Sequence, residues 1–579
     1  MKRKSLHDPV VLKSMYLKNA LIRSATNESM ANSFSEPSEK MILLYEELAR
    51  YVGLIITGFC YPSEDEIVKD HMLGLTNDEQ IPAYQRLCKA VHAENSKILL
   101  QVVAGGNYGT RKVSDYTVDE LQQLKQHFVQ CAKRAEKAGF DGIQLHLAHG
   151  YLLSRFLSPK TNTRTDRYGF AQGKAARFAV EVLQELRAQL PEQFHISAKM
   201  HCSDFETDGM NMHEALSYAL QFEQAGLDSL EISGGNYRKL HKNGFYYYEA
   251  QLFADALYIP VFAVGGNKDP IIMERQFQNS NLSTLSVCRA LINDPAFFEK
   301  GERSRCSGCG HCFADLLPCV QQRGSRYLLA SDFDGTLCHD FHTIAAEDIQ
   351  TIRTFSRKNL FGLVSGREPH SLFQACREHH IPYDFIIAFG GGIIYDQHGE
   401  ILFEKKLQGP YDQLIEYLKQ SLLFFTVYGQ DDFWYYERVQ HELAQRMREK
   451  TRCYYNEANS YTDLPFINII SGFCENEAQA VSTAAEIEKR FPQYQAVANV
   501  QSIDISAKGI SKESALLFLM EHFKVRMDHM AAIGDSMNDI SMIKRFNGFA
   551  IKGNPLVEQT ARKSVSSVSQ AIQILTQDQ

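Results

Sequence analysis

The chain has 579 residues, with 61 Lys and Arg against 69 Asp and Glu, a net charge of −8, 44% hydrophobic residues and 22% charged ones. At roughly 100–200 residues per domain, that length calls for several folding units. The globular balance excludes a disordered, collagen-like or coiled-coil protein, and the charge argues against wholesale phosphate-backbone binding, hence against a nucleic-acid partner.

No run of about 18 apolar residues appears, so no membrane helix is expected. The basic start Met1-Lys2-Arg3-Lys4 leads into His7, Asp8 and Pro9 where a signal peptide needs an apolar stretch. The expected compartment is the cytoplasm and the expected partners are small molecules; a homo-oligomer is compatible with the sequence.

Along the first three hundred residues, short apolar runs alternate with helical patterns. The runs are Ala20 to Ser24, Leu54 to Gly58, Ile98 to Val103, Gly142 to Leu145, Ile196 to Lys199, Ser229 to Ile232, Val261 to Val264 and Leu285 to Cys288. Amphipathic stretches such as Val118 to Lys137 and Lys174 to Leu190 lie between them. Doubly buried strands alternating with helices predict a parallel sheet, and eight of them predict a closed (β/α)₈ barrel. Polar residues at the strand ends should then converge on one mouth. They are Thr26, Asn27, Gly58, Gln101, His146, His149, Lys199, Ser233, Gly234, Gly265, Gly266 and Arg289. With no carboxylate cluster among them, the set suits a large anionic or heterocyclic ligand.

Cysteines crowd next, at Cys306, Cys309, Cys312 and Cys319. Their C-x₂-C-x₂-C start reads as an iron–sulfur or metal site in a reducing compartment. Zinc through His311 and a vestigial knuckle are the alternatives. The segment Cys319 to Arg326 is the expected junction, which sets the first domain at 1–322 and the second at 326–579. A new strand, Tyr327 to Ser331, leads into Asp332-Phe333-Asp334-Gly335-Thr336. From about 410 to 500 the pattern loosens and becomes more aromatic, as in an inserted domain. Trp434 and its tyrosine neighbours read as an aromatic core there.

The run Gly139 to Leu153, carrying His146, His149 and Tyr151, continues through Phe156-Leu157-Ser158-Pro159, Asn162, Arg164 and Asp166 to Gly169. It resembles the active-site strand of the old yellow enzyme family, and the similarity extends over about 8–312. That resemblance implies an FMN-dependent NAD(P)H oxidoreductase reducing an activated, enone-like alkene. It makes His146 and His149 the donors to the substrate oxygen and Tyr151 the proton donor. It places Ala25, Thr26 and Asn27 beside the flavin ring, Gln101 at its pyrimidine edge and Lys199 near N1. Gly58 joins these contacts, and Gly265, Gly266 and Arg289 take the phosphate. Ala104, Cys288 and Asn27 depart from residues common among relatives. Wider-spaced cysteines in dienoyl-CoA reductase-like relatives hold a [4Fe–4S] cluster.

In the second half, Asp332 to Thr336, Val364-Ser365-Gly366-Arg367, Gly509-Ile510-Ser511-Lys512 and Ile533 to Asp539 follow one another. In that order they resemble the four motifs of haloacid dehalogenase-like hydrolases, nearest the Cof-type branch. The resemblance implies a Rossmann-like domain with an α+β cap at about 410–500 and a Mg²⁺-dependent phosphatase. Asp332 is then the nucleophile and Asp334 the acid–base. Ser365, Gly366 and Lys512 hold phosphate, and Asp332, Asp334, Asp535 and Asp539 serve the metal. The whole reads as a bifunctional fusion. A second reading keeps one half as a binding or regulatory module, and a third has the phosphatase act on a flavin or sugar phosphate.

Overall fold

The computed structural model describes residues 4–172, 174–234, 244–309, 312, 319, 326–339 and 343–577. The chain divides into two compact units, Met1–Gln322 and Arg323–Gln579.

In the first unit eight parallel strands close into a barrel: β1 (Leu21–Arg23), β2 (Leu54–Ile56), β3 (Lys97–Val102), β4 (Gly142–Leu147), β5 (His195–His201), β6 (Ser229–Ser233), β7 (Val261–Val264) and β8 (Thr284–Val287). Closure comes from β8 pairing with β1 and from β2 pairing with both β1 and β3. The strands alternate with period two. On β4, Ile143, Leu145 and Leu147 join the core shared with the helices, while Gln144 and His146 take the opposite face. On β5, Ile196, Ala198 and Met200 likewise leave Ser197, Lys199 and His201 for the interior. The base of the interior is apolar. Ile22, Leu54, Ile56, Leu99 and Phe262 pack there with Leu12, Met15 and Leu17 of an antiparallel hairpin.

A helix follows each strand: α1 (Glu39–Ala49), α2 (Ile81–Ala93), α3 (Val118–Ala138), α4 (Arg177–Gln189), α5 (Met212–Gln224), α6 (Tyr247–Ala256), α7 (Pro270–Gln278) and α8 (Arg289–Asn293). The longest, α3, shows why. Thr117 and Glu120 form a reciprocal cap at its start, and Gly139 ends it in the left-handed conformation. Its inner face buries Leu121, Leu124, Phe128 and Val129, each contributing about 1.5–3 kcal/mol.

The second unit is built on an eight-stranded sheet of β9 (Leu328–Asp332), β10 (Leu360–Val364), β11 (Phe385–Ala388), β12 (Ile393–Asp396), β13 (Ile401–Glu404), β20 (Met530–Gly534), β21 (Asn547–Ile551) and β22 (Lys563–Val565). Its order is β13-β12-β11-β10-β9-β20-β21-β22, parallel except at β12 and β13. A six-stranded sheet is inserted before β20. It holds β14 (Phe424–Tyr428), β15 (Asp432–Glu437), β16 (Asn456–Glu457), β17 (Ile469–Phe473), β18 (Tyr494–Asn499) and β19 (Ser502–Ala507). It therefore runs past the expected end near 500. Ile503 and Ile505 alternate with polar residues and bury one face of β19 in the inserted domain's own core. Trp434 packs on that same core, with its ring 5.8 Å from Phe425 and 5.3 Å from Tyr461.

Candidate active sites

At the C-terminal ends of the barrel strands lies a cavity of about 540 Å³. Ala25, Thr26, Asn27, Gln101, His146, His149, Tyr151, Lys199, Gly265, Gly266 and Arg289 all line it. Gly58 does not. A methyl group built on it would stand 2.7 Å from the Thr26 carbonyl and 2.8 Å from Glu28 Oε2, so it is packed behind the end of β1. The close approach of two backbones, not ligand contact, requires glycine there.

His146 and His149 meet edge to face, with ring centroids 5.1 Å apart, and Tyr151 stands 4.8 Å from His146. His149 adopts a left-handed backbone, φ 61°. Its Nε2 lies 3.0 Å from Ser233 Oγ, and its amide donates to His201 Nε2 at 2.7 Å. An accepting Nε2 places the His201 ring proton on Nδ1, toward Asp204 Oδ1 at 3.2 Å. Burial, with Lys199 and His201 nearby, holds His146 well below the usual histidine range, and burial with His146 adjacent does the same to His149. Both are therefore neutral at pH 7 and can donate a hydrogen without adding charge. His146 Nδ1 and Ser286 Oγ are buried on this wall with no hydrogen-bond partner among the described residues.

The cysteine segment borders the same cavity. Cys288, Cys306 and Gly308 are wall residues, Arg289 donates to the Gly308 carbonyl at 3.1 Å, and Lys268 donates to that of Cys306 at 3.2 Å. Cys319 Sγ receives Asn293 Nδ2 at 3.6 Å. Among the described residues, the four cysteines do not gather as a metal-ligand group; the one such group is elsewhere. The backbone carbonyls of Cys306 and Gly308 anchor that loop to the barrel wall. His311 lies outside the described residues.

That group is Asp332, Asp535 and Asp539, whose oxygens lie within 4.8 Å of one another. Asp332 ends β9, and Asp535 and Asp539 follow β20, its neighbour in the sheet. Lys512 Nζ lies 2.6 Å from Asp332 Oδ1 and 2.5 Å from Asp539 Oδ1. Thr336 donates to Asp535 at 3.0 Å. Asp539 Oδ2 accepts the amides of Asp535 and Ser536 at 3.2 and 3.0 Å, which orients it. Gly335 is left-handed, φ 78°, and a side chain there would occupy the Asp535 carboxylate. Burial pushes the Asp332 carboxyl up; Asp539 and Asp535 add to the rise and Lys512 opposes it. Burial also lifts Asp535. Three acids sharing one lysine suit an oxygen-liganded divalent cation.

Asp334 stands apart from the trio. Arg367 grips its carboxylate through two bonds, of 2.8 and 2.6 Å. Ser365 is buried, and its Oγ accepts the Arg367 amide at 3.1 Å. Gly366 faces Asp504 of β19, whose Oδ2 would lie 3.4 Å from a methyl group on the glycine.

With both geometries described, comparison with known proteins settles the family. The model of the NADH:flavin oxidoreductase / NADH oxidase family matches residues 5–118 and 109–307, more than half of the chain. The chain belongs to that family. The haloacid dehalogenase-like hydrolase model matches residues 329–571, within the second unit. It is 27% identical over 343 residues to the NADH oxidase of Thermoanaerobacter brockii, covering 54% of this chain and 52% of that one. It is 28% identical to the NADPH dehydrogenase of Bacillus subtilis, covering 51% and 93%. It is 30% identical to the 4,4'-dithiodibutanoate disulfide reductase of Rhodococcus erythropolis, covering 54% and 93%. The chain thus spans about half the length of the NADH oxidase. No helix among the described residues is long and apolar enough to cross a membrane.

Several residues of the two sites escaped the sequence reading. His201 shares the inward face of β5 with Lys199 by simple alternation, a signal available in the sequence. Glu231 is a charge inside the apolar run Leu230-Glu231-Ile232, which marks an interior polar contact. Arg367 stood inside the second motif without a role assigned to it, and Asp504 gave no signal, since acids on strand edges are common.

Proposed function

We propose that the barrel is an FMN-dependent NAD(P)H oxidoreductase acting on an activated alkene, and that the second unit is a Mg²⁺-dependent phosphatase. What carries the first half is the meeting of two neutral, buried histidines with Tyr151 in one cavity. The residues present fit a flavin. Gln101 offers an amide, Lys199 and Arg289 offer positive charge, and the orphaned His146 Nδ1 and Ser286 Oγ offer polar atoms a ligand would satisfy.

Bound FMN would supply the hydride chemistry, recharged by NAD(P)H. The chain's own residues do the rest. Gln101 and Lys199 would hold the pyrimidine edge of the ring, and Arg289 with Gly265 and Gly266 would hold the phosphate. His146 and His149 donate to the substrate's carbonyl oxygen, where negative charge develops. Tyr151 keeps its phenolic proton at neutral pH and delivers it to the α-carbon. Anaerobic absorption tests this. Added FMN should give paired flavin bands that bleach with NADPH and recover on addition of an enone such as cyclohexenone. A protein that takes up no FMN contradicts the proposal.

In the second unit Asp332 attacks phosphorus and carries the phosphoryl group as an acyl phosphate. Asp334 protonates the departing oxygen and then takes a proton from water. Lys512 and Ser365 hold the phosphoryl oxygens, with the backbone of Gly366 beside them. Asp332, Asp535 and the Asp334 carbonyl would hold Mg²⁺, with Asp539 orienting them, and the cation would neutralise charge on the phosphoryl group. Hydrolysis of p-nitrophenyl phosphate that appears only with Mg²⁺ is the expected result; no turnover with any divalent cation counts against it.

A further inference from the structure

We propose that Glu231 is a positioning residue for the flavin edge, setting both the charge that Lys199 presents and the direction in which the Gln101 amide points. The inference rests on FMN occupying the barrel cavity. Glu231 lies on β6, is fully buried and does not line the cavity. Strand register brings it to the groups that do. Glu231 is paired with Lys199 and Lys199 with His146, while Gln101 is paired with Gln144.

The contacts follow that register. Glu231 Oε2 lies 3.4 Å from Lys199 Nζ and accepts Gln144 Nε2 at 3.2 Å. Gln144 Oε1 in turn accepts Gln101 Nε2 at 2.7 Å. Lys199 makes its other bond to Ser24 Oγ, at 2.7 Å. A carboxylate can only accept, so Gln144 must turn its NH₂ toward Glu231 and its carbonyl toward Gln101. Gln101 must then give its NH₂ to the relay and keep its carbonyl oxygen for the ligand. One buried anion thereby fixes the polarity of two amides. It presents an acceptor to a ring N–H of the flavin while moderating the lysine beside it.

Energetics supports a purpose for the group. Glu231 Oε1 is buried with no hydrogen-bond partner among the described residues. An unsatisfied buried acceptor is costly, and more so when charged. An apolar side chain would remove that cost, but it would neither impose direction on the relay nor balance Lys199.

Glu231→Gln keeps the shape and removes the charge. In the FMN-loaded protein, Lys199 is then unopposed and favours the reduced, more negative flavin. Reduced FMN should bind at least tenfold more tightly relative to oxidised FMN than in wild type, a rise in midpoint potential of about 30 mV for the two-electron couple. Glu231→Asp, which retains the charge, should restore most of the difference. Gln144→Met cuts only the relay and should weaken FMN binding about tenfold with the potential unchanged; this arm stands even if Glu231→Gln does not fold. Wild-type potential in a flavin-loaded Glu231→Gln protein, or wild-type FMN affinity in Gln144→Met, would overturn the proposal. A wild-type protein that binds no FMN would instead overturn the reading beneath it.

Discussion

In the barrel cavity the reactive groups stand among hydroxyls, amides and a lysine, whereas in the second unit three carboxylates crowd around Lys512. Burial acts on both, with opposite sense. It pushes His146 and His149 down, so they are neutral donors. It pushes Asp332 up, against the pull of Lys512. Desolvation always favours the uncharged form, so the same physical term completes one site and leaves the other short of positive charge. The barrel can receive its organic ligand with its protonation states already set. On the proposed reading, the second site would reach its working charge with a cation in place. This contrast predicts that the two activities can be separated one residue or one reagent at a time.

The largest separation should come from Asp332→Asn. Phosphate-ester hydrolysis should fall by on the order of 10⁴-fold or more, since removing a nucleophile removes the covalent route. FMN uptake and NADPH bleaching, read on the same preparation, should not change. Loss of both activities would contradict two self-contained sites. Chelation is the reversible counterpart. EDTA should take p-nitrophenyl phosphate turnover to background and Mg²⁺ should restore it, with the flavin spectrum indifferent throughout. Mg²⁺ should also raise the melting temperature of the second unit alone, because a cation that binds only the folded site stabilises it.

How far the sequence carried differs between the regions for a physical reason. All eight barrel strands are legible, because doubly buried strands read as short apolar runs and their period of two points His146, Lys199 and Gln101 inward together. The acid trio was marked by the resemblance of its motifs alone, since the pairing of β9 with β20 that brings Asp332 near Asp535 is not encoded locally. Gly58 falls outside the cavity lining, and a glycine at a strand end looks alike in sequence whether a ligand or a second backbone approaches it. The Arg367 grip on Asp334 and the approach of Asp504 to Gly366 depend on loop and inserted-domain placement, which no local period encodes. The cysteine run had a ligand-like spacing, but where its backbone anchors, on Lys268 and Arg289, was invisible in that spacing.

Tyr151→Phe should give a smaller and more selective effect than the nucleophile change. Enone turnover should fall by about 10²–10⁴-fold, the range for losing a positioned general acid. NADPH should still bleach the bound flavin at close to the wild-type rate, because the phenol serves only the alkene half-reaction. Equal loss in both half-reactions would assign Tyr151 to flavin or nicotinamide binding instead.

The smallest effect tests the opposed role of burial directly, through stability. His195 of the barrel is held down to about 4 by burial. Its unfolded value is near 6.5, so between these pH values the unfolded chain binds more protons, and this contribution is lost as pH falls from 6.5 toward 4. Asp504 of the second unit is lifted to about 6 by burial, with Ser471 and Lys512 opposing. Here the folded chain binds more protons, so the contribution is present at low pH and is lost as pH rises from about 4 through 6. Across one window the two groups therefore tilt their units in opposite directions. Scanning calorimetry at intervals of pH, with FMN and Mg²⁺ used to assign the transitions, should show it as shifts of a few degrees. His195→Asn should flatten only the barrel's slope and Asp504→Asn only that of the second unit. Slopes unchanged in both variants would mean that neither buried group titrates as its surroundings dictate.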